Sequence, residues 1–485
     1  MSPHQESILR EYKAAFEAYH LARTGETISV EWVDLGGTGN IVRYIESQFA
    51  KTPDSVGFDI MYGGGVDPFL LLADEGFLTP YKVPDEILSK IPSNISGIPM
   101  YDPEYRWYGA ALSGFGIIYN KEVLRREGLP EPQTWEDLTL PKVKGWVGSA
   151  DPSQSGSTHM MYEIILQGYG WEKGYRISTL IGANCKSFPA SSSAIPRLVS
   201  AGDLAYGLAI DFYAWAEVAR VGADKVSYVM PQGLTVVNPD SIAILKGAPE
   251  LDLAQEFVEF VLSEQGQKLW MLPAGDPEGP KSFTLGRMSM IPSLYEQLGS
   301  RSIVPFNPFT LTSVVAYNAT KGSLRYALLN DLIVSQLIDT HDELVRAWES
   351  IISTNRTLAA ANLTTPGIQQ AINKLGEAPL SEAAAEEAAK NWSDPAFRNN
   401  YIQAWHVSAR QKYADAASQA TAAANLAILA ATEAQTQLIN RLKADAQNNL
   451  YMGVGVGVVV GIVIGAAITY SVSRRREVAA VKRTA

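Results

Sequence analysis

Cysteine is nearly absent from this 485-residue chain, where Cys185 stands alone. No internal disulfide can form and no Cys cluster exists for a structural metal, so stability has to come from apolar burial. Histidine is scarce and scattered, at positions 4, 20, 159, 341 and 406. There is no G-x-S-x-G elbow, no H-E-x-x-H, no Cys/His pair and no P-loop, which removes the common hydrolytic and nucleotide-dependent chemistries. Basic residues are outnumbered, 40 Lys and Arg against 51 Asp and Glu, and a net charge of −11 argues against a nucleic-acid partner. The opening Met1-Ser-Pro-His-Gln-Glu has neither a basic n-region nor an apolar h-region, so no signal peptide is visible.

What is present is a globular composition, 46% hydrophobic and 19% charged, long enough for two or three domains. Near the end, Tyr451 to Ser473 runs without a charged side chain and is followed by Arg474, Arg475 and Arg476. At about 1.5 Å per residue such a run spans a bilayer. The arginines place residues 474–485 on the cytoplasmic side and the body outside the cell membrane, on one C-terminal helix. Gly453, Gly457, Gly461 and Gly465 recur every fourth residue on one face of that helix; small residues at this spacing favour pairing, as a homodimer or against a permease helix. Above it, Trp405 to Asn449 is alanine-rich with a thin apolar face, as a stalk would be. An exported body without a visible signal peptide leads to the expectation that the reading frame begins upstream of Met1.

Taken in order, Glu6 to Tyr19 places Ile8, Leu9, Tyr12, Phe16 and Tyr19 at helical spacing. Ile28 to Leu35 is β-rich and ends in Gly36-Gly37-Thr38-Gly39-Asn40, with a helix to Ala50; Phe58 to Tyr62, Gly63 to Asp67 and a helix from about Pro68 to Phe77 repeat the unit. That alternation predicts a parallel α/β sheet. Gly109 to Tyr119 reads as a buried strand crossing between lobes. Lys144 to Ala150 is a strand ending in a Ser155-Gly156-Ser157-Thr158 turn before a helix through Gln167. Helices are expected at Trp171 to Ile181, Ala194 to Ser200, Ala214 to Val221, Asp252 to Met271 and Leu332 to Ile352, with a strand at Tyr206 to Ile210. Val226 to Val237 reads as the return crossing, followed by a strand at Ser241 to Leu245.

Three stretches, Tyr108 to Leu124 (YGAALSGFGIIYNKEVL), Pro132 to Ser157 (PQTWEDLTLPKVKGWVGSADPSQSGS) and Asp252 to Trp270 (DLAQEFVEFVLSEQGQKLW), resemble the family 1 extracellular solute-binding proteins of ABC importers, in the branch of ferric-iron, thiamine and polyamine binders. The anchor and stalk resemble the tethered binding proteins of archaea. The resemblance implies an α/β, two-lobed, type II periplasmic-binding-protein-like fold with the ligand between lobes. The expected parts are lobe 1 in 1–112, lobe 2 in 113–230, a return to lobe 1 with C-terminal helices in 231–355, a helical stalk in 356–450, and the span in 451–473. It implies a non-enzymatic receptor without a cofactor, working with a permease and its ATPase. An extracytoplasmic hydrolase and a structural surface protein are the competing classes. The first lacks a motif, and the second leaves the glycine loops unexplained.

Three glycine- or serine-rich loops begin helices, at Gly36 to Asn40, Gly63 to Asp67 and Ser155 to Thr158. Helix N-termini offer unpaired N–H groups and positive potential, which suits an oxyanion; equally, such residues cap their own helices. The candidate ligand-binding residues are Gly37, Thr38, Gly39, Gly64, Gly65, Ser155, Gly156, Ser157, Asp211 and Tyr213. By resemblance, the Ser-Gly turn contacts the anion that accompanies ferric iron, and His4 and Tyr213 fall where two iron ligands would sit. Ala214 replaces a second tyrosine and Gly64 stands near a carboxylate position, so two of four iron ligands are gone. A small anion or an organic phosphate competes with iron as the solute.

Overall fold

The computed structural model describes residues 1–33, 35–95, 97–305, 307–310 and 315–448. The expected span, the cytoplasmic tail and the glycine stripe lie outside the described residues. Among the described residues no helix is long and apolar enough to cross a membrane.

The first half of the chain runs through helices α1 (Glu6–Thr24) and α2 (Thr38–Phe49), strand β1 (Ile60–Tyr62), α3 (Asp67–Asp74) and α4 (Asp85–Leu88). A small hairpin, β2 (Asn94–Ile95) with β3 (Ile98–Pro99), leads to β4 (Tyr108–Asn120), α5 (Lys121–Glu127) and β5 (Val147–Gly148). Next come α6 (Gly156–Tyr169), α7 (Trp171–Asn184), α8 (Ala194–Ala201), β6 (Tyr206–Ile210), α9 (Asp211–Val221), β7 (Val226–Val229) and β8 (Val237–Ile244). The rest is helical: α10 (Leu251–Leu262), α11 (Glu264–Met271), α12 (Ser293–Leu298), α13 (Ala319–Leu324), α14 (Tyr326–Ile333), α15 (His341–Ala360), α16 (Pro366–Leu375), α17 (Glu382–Ala389) and α18 (Pro395–Asn448).

β4 organises the fold. All thirteen of its residues are buried, so it reads as a continuous apolar run rather than an alternating one. Its first half, Tyr108 to Gly114, pairs with β8, which continues to β1; its second half, Phe115 to Asn120, pairs with β6 and β7. One strand thus serves both lobes. The return crossing is β8 rather than Val226 to Val237, because β7 stays paired with the far end of β4.

The expected parallel sheet is corrected by this geometry. Among the described strand pairs only β5 with β6 is parallel, since the lobes hang on the antiparallel partners β4 and β8. Among the described residues of 28–35 there is no strand. The β-branched residues there favour extension, but a ladder needs a neighbour, and here Ser2 N–H reaches Val33 O at 3.2 Å while Met1 is engaged with β1. The expected helix from Asp252 to Met271 breaks at Ser263, whose backbone is extended and whose hydroxyl accepts from Gly266 N–H to cap α11.

The chain separates into two compact units, residues 1–349 with 372–417, and 350–371 with 418–485. Residues 372–417, placed by sequence in a stalk, belong to the first unit. Trp392 donates to Asp331 at 2.7 Å, Arg398 pairs with the same carboxylate, and Trp405 and Tyr413 are buried. In the second unit Gly367 lies so close to Ala423 that a Cβ there would meet it at 2.2 Å.

Candidate ligand-binding cleft

A cavity of about 270 Å³ opens inside the first unit, lined from both lobes by the starts of α2, α3 and α6 and by β8. That size suits a small metabolite or ion. The loops around it touch backbone to backbone. Gly37, at φ +122°, would drive a Cβ to 2.0 Å from Gln154 O, and one on Gly39 would reach 2.1 Å from Ser153 O. A Cβ on Gly156 would lie 2.8 Å from Gly64 O and 3.0 Å from Thr38 Oγ1. These glycines let the two lobes meet over the cavity, a use the sequence reading did not foresee.

At the start of α6, Ser155 is the N-cap, and its hydroxyl accepts from the backbone N–H of Thr158 at 3.3 Å. Ser157 lies 3.1 Å from Ser155 Oγ and donates to Ser192 Oγ at 2.9 Å. The first-turn N–H groups of Gly156 and Ser157 have no intrahelical acceptor and sit at the positive end of a 14-residue helix.

A charged cluster forms one wall. Asp240, on β8, receives N–H bonds from Gly64 and Gly65, lies 2.7 Å from His4 Nε2, and pairs with the fully buried Arg287. Burial would raise Asp240, yet the Arg287 guanidinium, His4 and Gly64 N–H hold it well below the usual carboxylate range. His4 is lowered by burial and by Arg287, against the pull of Asp240. Arg287 also donates to Ser113 Oγ at 2.6 Å and lies over the Phe212 ring at 4.2 Å. Asp240 therefore fills the amide nest of Gly64 and Gly65 with an internal anion.

A second cluster lies beside α3. Tyr317 donates its hydroxyl to Asp67 Oδ2, His159 Nδ1 lies 2.8 Å from Asn330 Oδ1, and His159 Nε2 is 3.7 Å from Asp67 Oδ2. Burial raises Asp67 above the usual carboxylate range, opposed by His159 and Tyr317.

Of the residues expected from sequence, His4, Gly37, Thr38, Gly64, Gly65, Ser155, Gly156, Ser157 and Tyr213 line this one cavity. Gly39 and Asp211 do not. Gly39 serves the contact with Ser153, and Asp211 turns away to accept from Gly114 N–H at 2.9 Å; burial pushes its carboxyl up to about 7. His4 Nε2 is engaged by Asp240 and lies 3.0 Å from Arg287 Nη1, so a cation approaching that nitrogen meets a guanidinium. Among the described residues no group of three or more His, Cys, Asp or Glu is placed to hold a metal ion. Asp67, His159, Ser192, Asn238, Asp240 and Tyr326 also line the cavity and were missed. His159 had a signal, one turn beyond Ser155; Asn238, Asp240 and Tyr326 come from distant segments and had none.

Strand crossings shared by two lobes, with helix N-termini converging on the cleft between them, find counterparts among solved structures. The periplasmic binding protein AfuA of Actinobacillus pleuropneumoniae, with fructose-6-phosphate bound, aligns with a TM-score of 0.58 at 22% identity, over 69% of this chain and 97% of that one. The chain has the periplasmic-binding-protein fold. Iron-bound HitA from Pseudomonas aeruginosa aligns with a TM-score of 0.52 at 18% identity, over 68% of this chain and 96% of that one. Residues 56–277 match a family model described as bacterial extracellular solute-binding protein, a family of binders rather than enzymes. The phosphoglycerate transport regulatory protein PgtC of Salmonella typhimurium is 30% identical over 159 residues, 33% of this chain and 39% of that protein. The chain thus spans well under half the length of that relative. Within the binding-protein fold, α6 and the loop before α3 approach the cleft from opposite lobes, so a solute there touches both.

Proposed function

We propose that this chain is the solute-binding receptor of an ABC importer, taking a small anionic solute into the cleft and delivering it to a permease and its ATPase. The observation that carries the reading is the start of α6, where first-turn amide groups without an intrahelical acceptor and the hydrogen-bonded Ser155, Ser157 and Ser192 line the cavity. Oriented dipoles of this kind bind oxyanions without a full positive charge. The Gly64–Gly65 nest is taken by Asp240, so the anion goes to α6 and the neighbouring start of α2. An anion fits better than a ferric ion, because His4 is engaged by Asp240 and backed by Arg287. The matched family and the relatives' names, which include phosphoglycerate transport and a bound fructose-6-phosphate, support a phosphorylated or similar anion. Tethering by residues 451–473, with the body outside the membrane, completes the proposal.

Ser157→Ala tests it more cleanly than Ser155→Ala, since Ser155 also caps α6. A charge-assisted hydrogen bond contributes about 1.5 to 3 kcal/mol, so Ser157→Ala should weaken phosphate or phosphate-ester binding about ten- to a hundredfold with an unchanged melting temperature. Calorimetric titration in which phosphate, its esters and small carboxylates all fail to bind the wild type would end the anion reading.

A further inference from the structure

At Asp67 one lobe is gripped by side chains carried on the other. Asp67 is the first residue of α3 and has no exposed surface. Its Oδ2 accepts the Tyr317 hydroxyl and lies 3.7 Å from Nε2 of His159 on α6. Tyr317 and the helices that follow it are fastened to that same helix. Gln167 of α6 donates to Asn318 O at 3.1 Å and accepts from Asn318 N–H at 2.7 Å. Arg325, also without exposed surface, meets Glu163 of α6 through Nη2 at 2.7 Å and Nε at 3.0 Å. Asn330 holds Nδ1 of His159 at 2.8 Å, and Trp348 donates to Asn184, at the end of α7, at 2.7 Å. α13 therefore rides with α6 and α7, yet it packs on α3 of the opposite lobe. Gly322 allows that approach, since a Cβ there would stand 2.3 Å from the Tyr317 hydroxyl and 2.8 Å from Asp67 Oδ2.

This joint has to break when the lobes part. α3 follows β1, on the side of the sheet built from the first half of β4, whereas α6 follows β5, which pairs with β6 on the second half. Rotation about the β4 and β8 crossings draws Asp67 away from His159 and Tyr317 together. Closure strips the carboxylate of water, a loss that its charge-assisted hydrogen bonds offset. Removing a donor therefore tips the balance toward the open form. We propose that Tyr317 and His159 engage Asp67 as a latch, by which the C-terminal helices carried on one lobe hold the other shut over the cleft. Tyr317 lies outside the cavity lining, so its effect reaches a bound solute through lobe closure alone. The latch is read from lobe positions without any solute, so it stands or falls apart from the anion reading above.

Interlobe distances test it. Cys185 is buried, so nitroxide labels can be directed to exposed positions: Lys51→Cys with Lys225→Cys, and separately Lys82→Cys with Lys142→Cys, each pair having one member on either lobe. Pulsed electron–electron double resonance on the full chain in detergent, with no solute added, should give a single short distance for each pair in the otherwise wild-type protein. Tyr317→Phe keeps the ring and removes the donor, while Gly322→Ala drives a methyl between Tyr317 and Asp67. Each should weaken closure about tenfold, seen as a second, longer distance, with unchanged far-ultraviolet circular dichroism. Should Gly322→Ala disturb the helix content, Tyr317→Phe decides alone. Distance distributions identical to wild type in the variants overturn the latch, whatever their melting temperatures. A wild type in which the longer distance already dominates overturns it as well.

Discussion

Around Arg287, two buried carboxylates titrate in opposite directions, and each has its own pH window. Asp240 is held below its ordinary value by Arg287, so its contribution is present above about pH 4 and is lost as pH falls further. Asp211 is raised from 3.8 to about 7, so its effect is the reverse: stability is highest below pH 3.8 and declines as pH rises through 7. Asp211→Asn should flatten the loss of stability between pH 4 and 7, read as the wild-type minus variant difference in denaturant midpoint. A difference that is constant across that window would remove Asp211 from the titration. Asp240→Asn leaves a fully buried guanidinium without its carboxylate. Breaking a buried pair from one side costs about 3–5 kcal/mol, and urea unfolding at pH 7 measures it. At Gly37 the expected fault is different. Ala there combines a strained φ with contact against Gln154 O, so lobe closure is impaired. Gly37→Ala should raise the radius of gyration in solution scattering and weaken ligand binding, with little change in far-ultraviolet circular dichroism.

At the scale of elements, the first part of α18 is fastened by one unusual side chain. Lys412 is 8% exposed, donates to Gln336 Oε1 and Glu377 O at 2.9 Å each, and lies 5.2 Å from the Tyr175 and Tyr413 rings. Burial lowers its amine from 10.5 to about 7. The folded state therefore binds fewer protons than the unfolded one between pH 7 and 10.5, and stability rises with pH across that range. Thermal unfolding from pH 7 to 9.5 should show this rise in the wild type and lose it in Lys412→Met; parallel slopes in both would show that another group is responsible. Gln336 ties the same region from the other side, with Nε2 donating to Trp405 O and its own carbonyl accepting from the Tyr413 hydroxyl. It sits in a π-helical turn, Val334–Ile338, that directly follows α14.

For the molecule as a whole, the first unit ends at Ala417, inside an uninterrupted helix. A chain ending at Ala417 should retain the cavity and its ligand affinity. One ending at Thr340 exposes the surfaces that Trp392, Trp405 and Tyr413 cover. Burial of a large apolar side chain contributes on the order of 2 kcal/mol, so the shorter chain should unfold at markedly lower denaturant. Equal denaturant midpoints for the two would mean that α18 adds nothing to the first unit.

Local chemistry was legible in the chain itself. The α1 stripe of Ile8, Tyr12 and Phe16, the largely apolar run of β4, and the glycine and serine turns ahead of α2, α3 and α6 are set by side-chain periodicity and capping, which act over a few residues. What depends on distant partners was not legible. The described residues of 28–35 have strand composition without a ladder, β8 rather than β7 makes the return, and residues 372–417 join the body although their composition suggested a stalk. The site divides in the same way. Ser155 and Ser157 announce themselves by the helix they begin. Asp240 is held charged by Arg287, 47 residues away, together with His4 and Gly64 N–H, and Asp67, His159 and Tyr326 become a set only because three separate helices deliver them to one cavity. Burial and pairing are properties of the folded chain, so only the tertiary structure decided which polar residues would be left facing the solute.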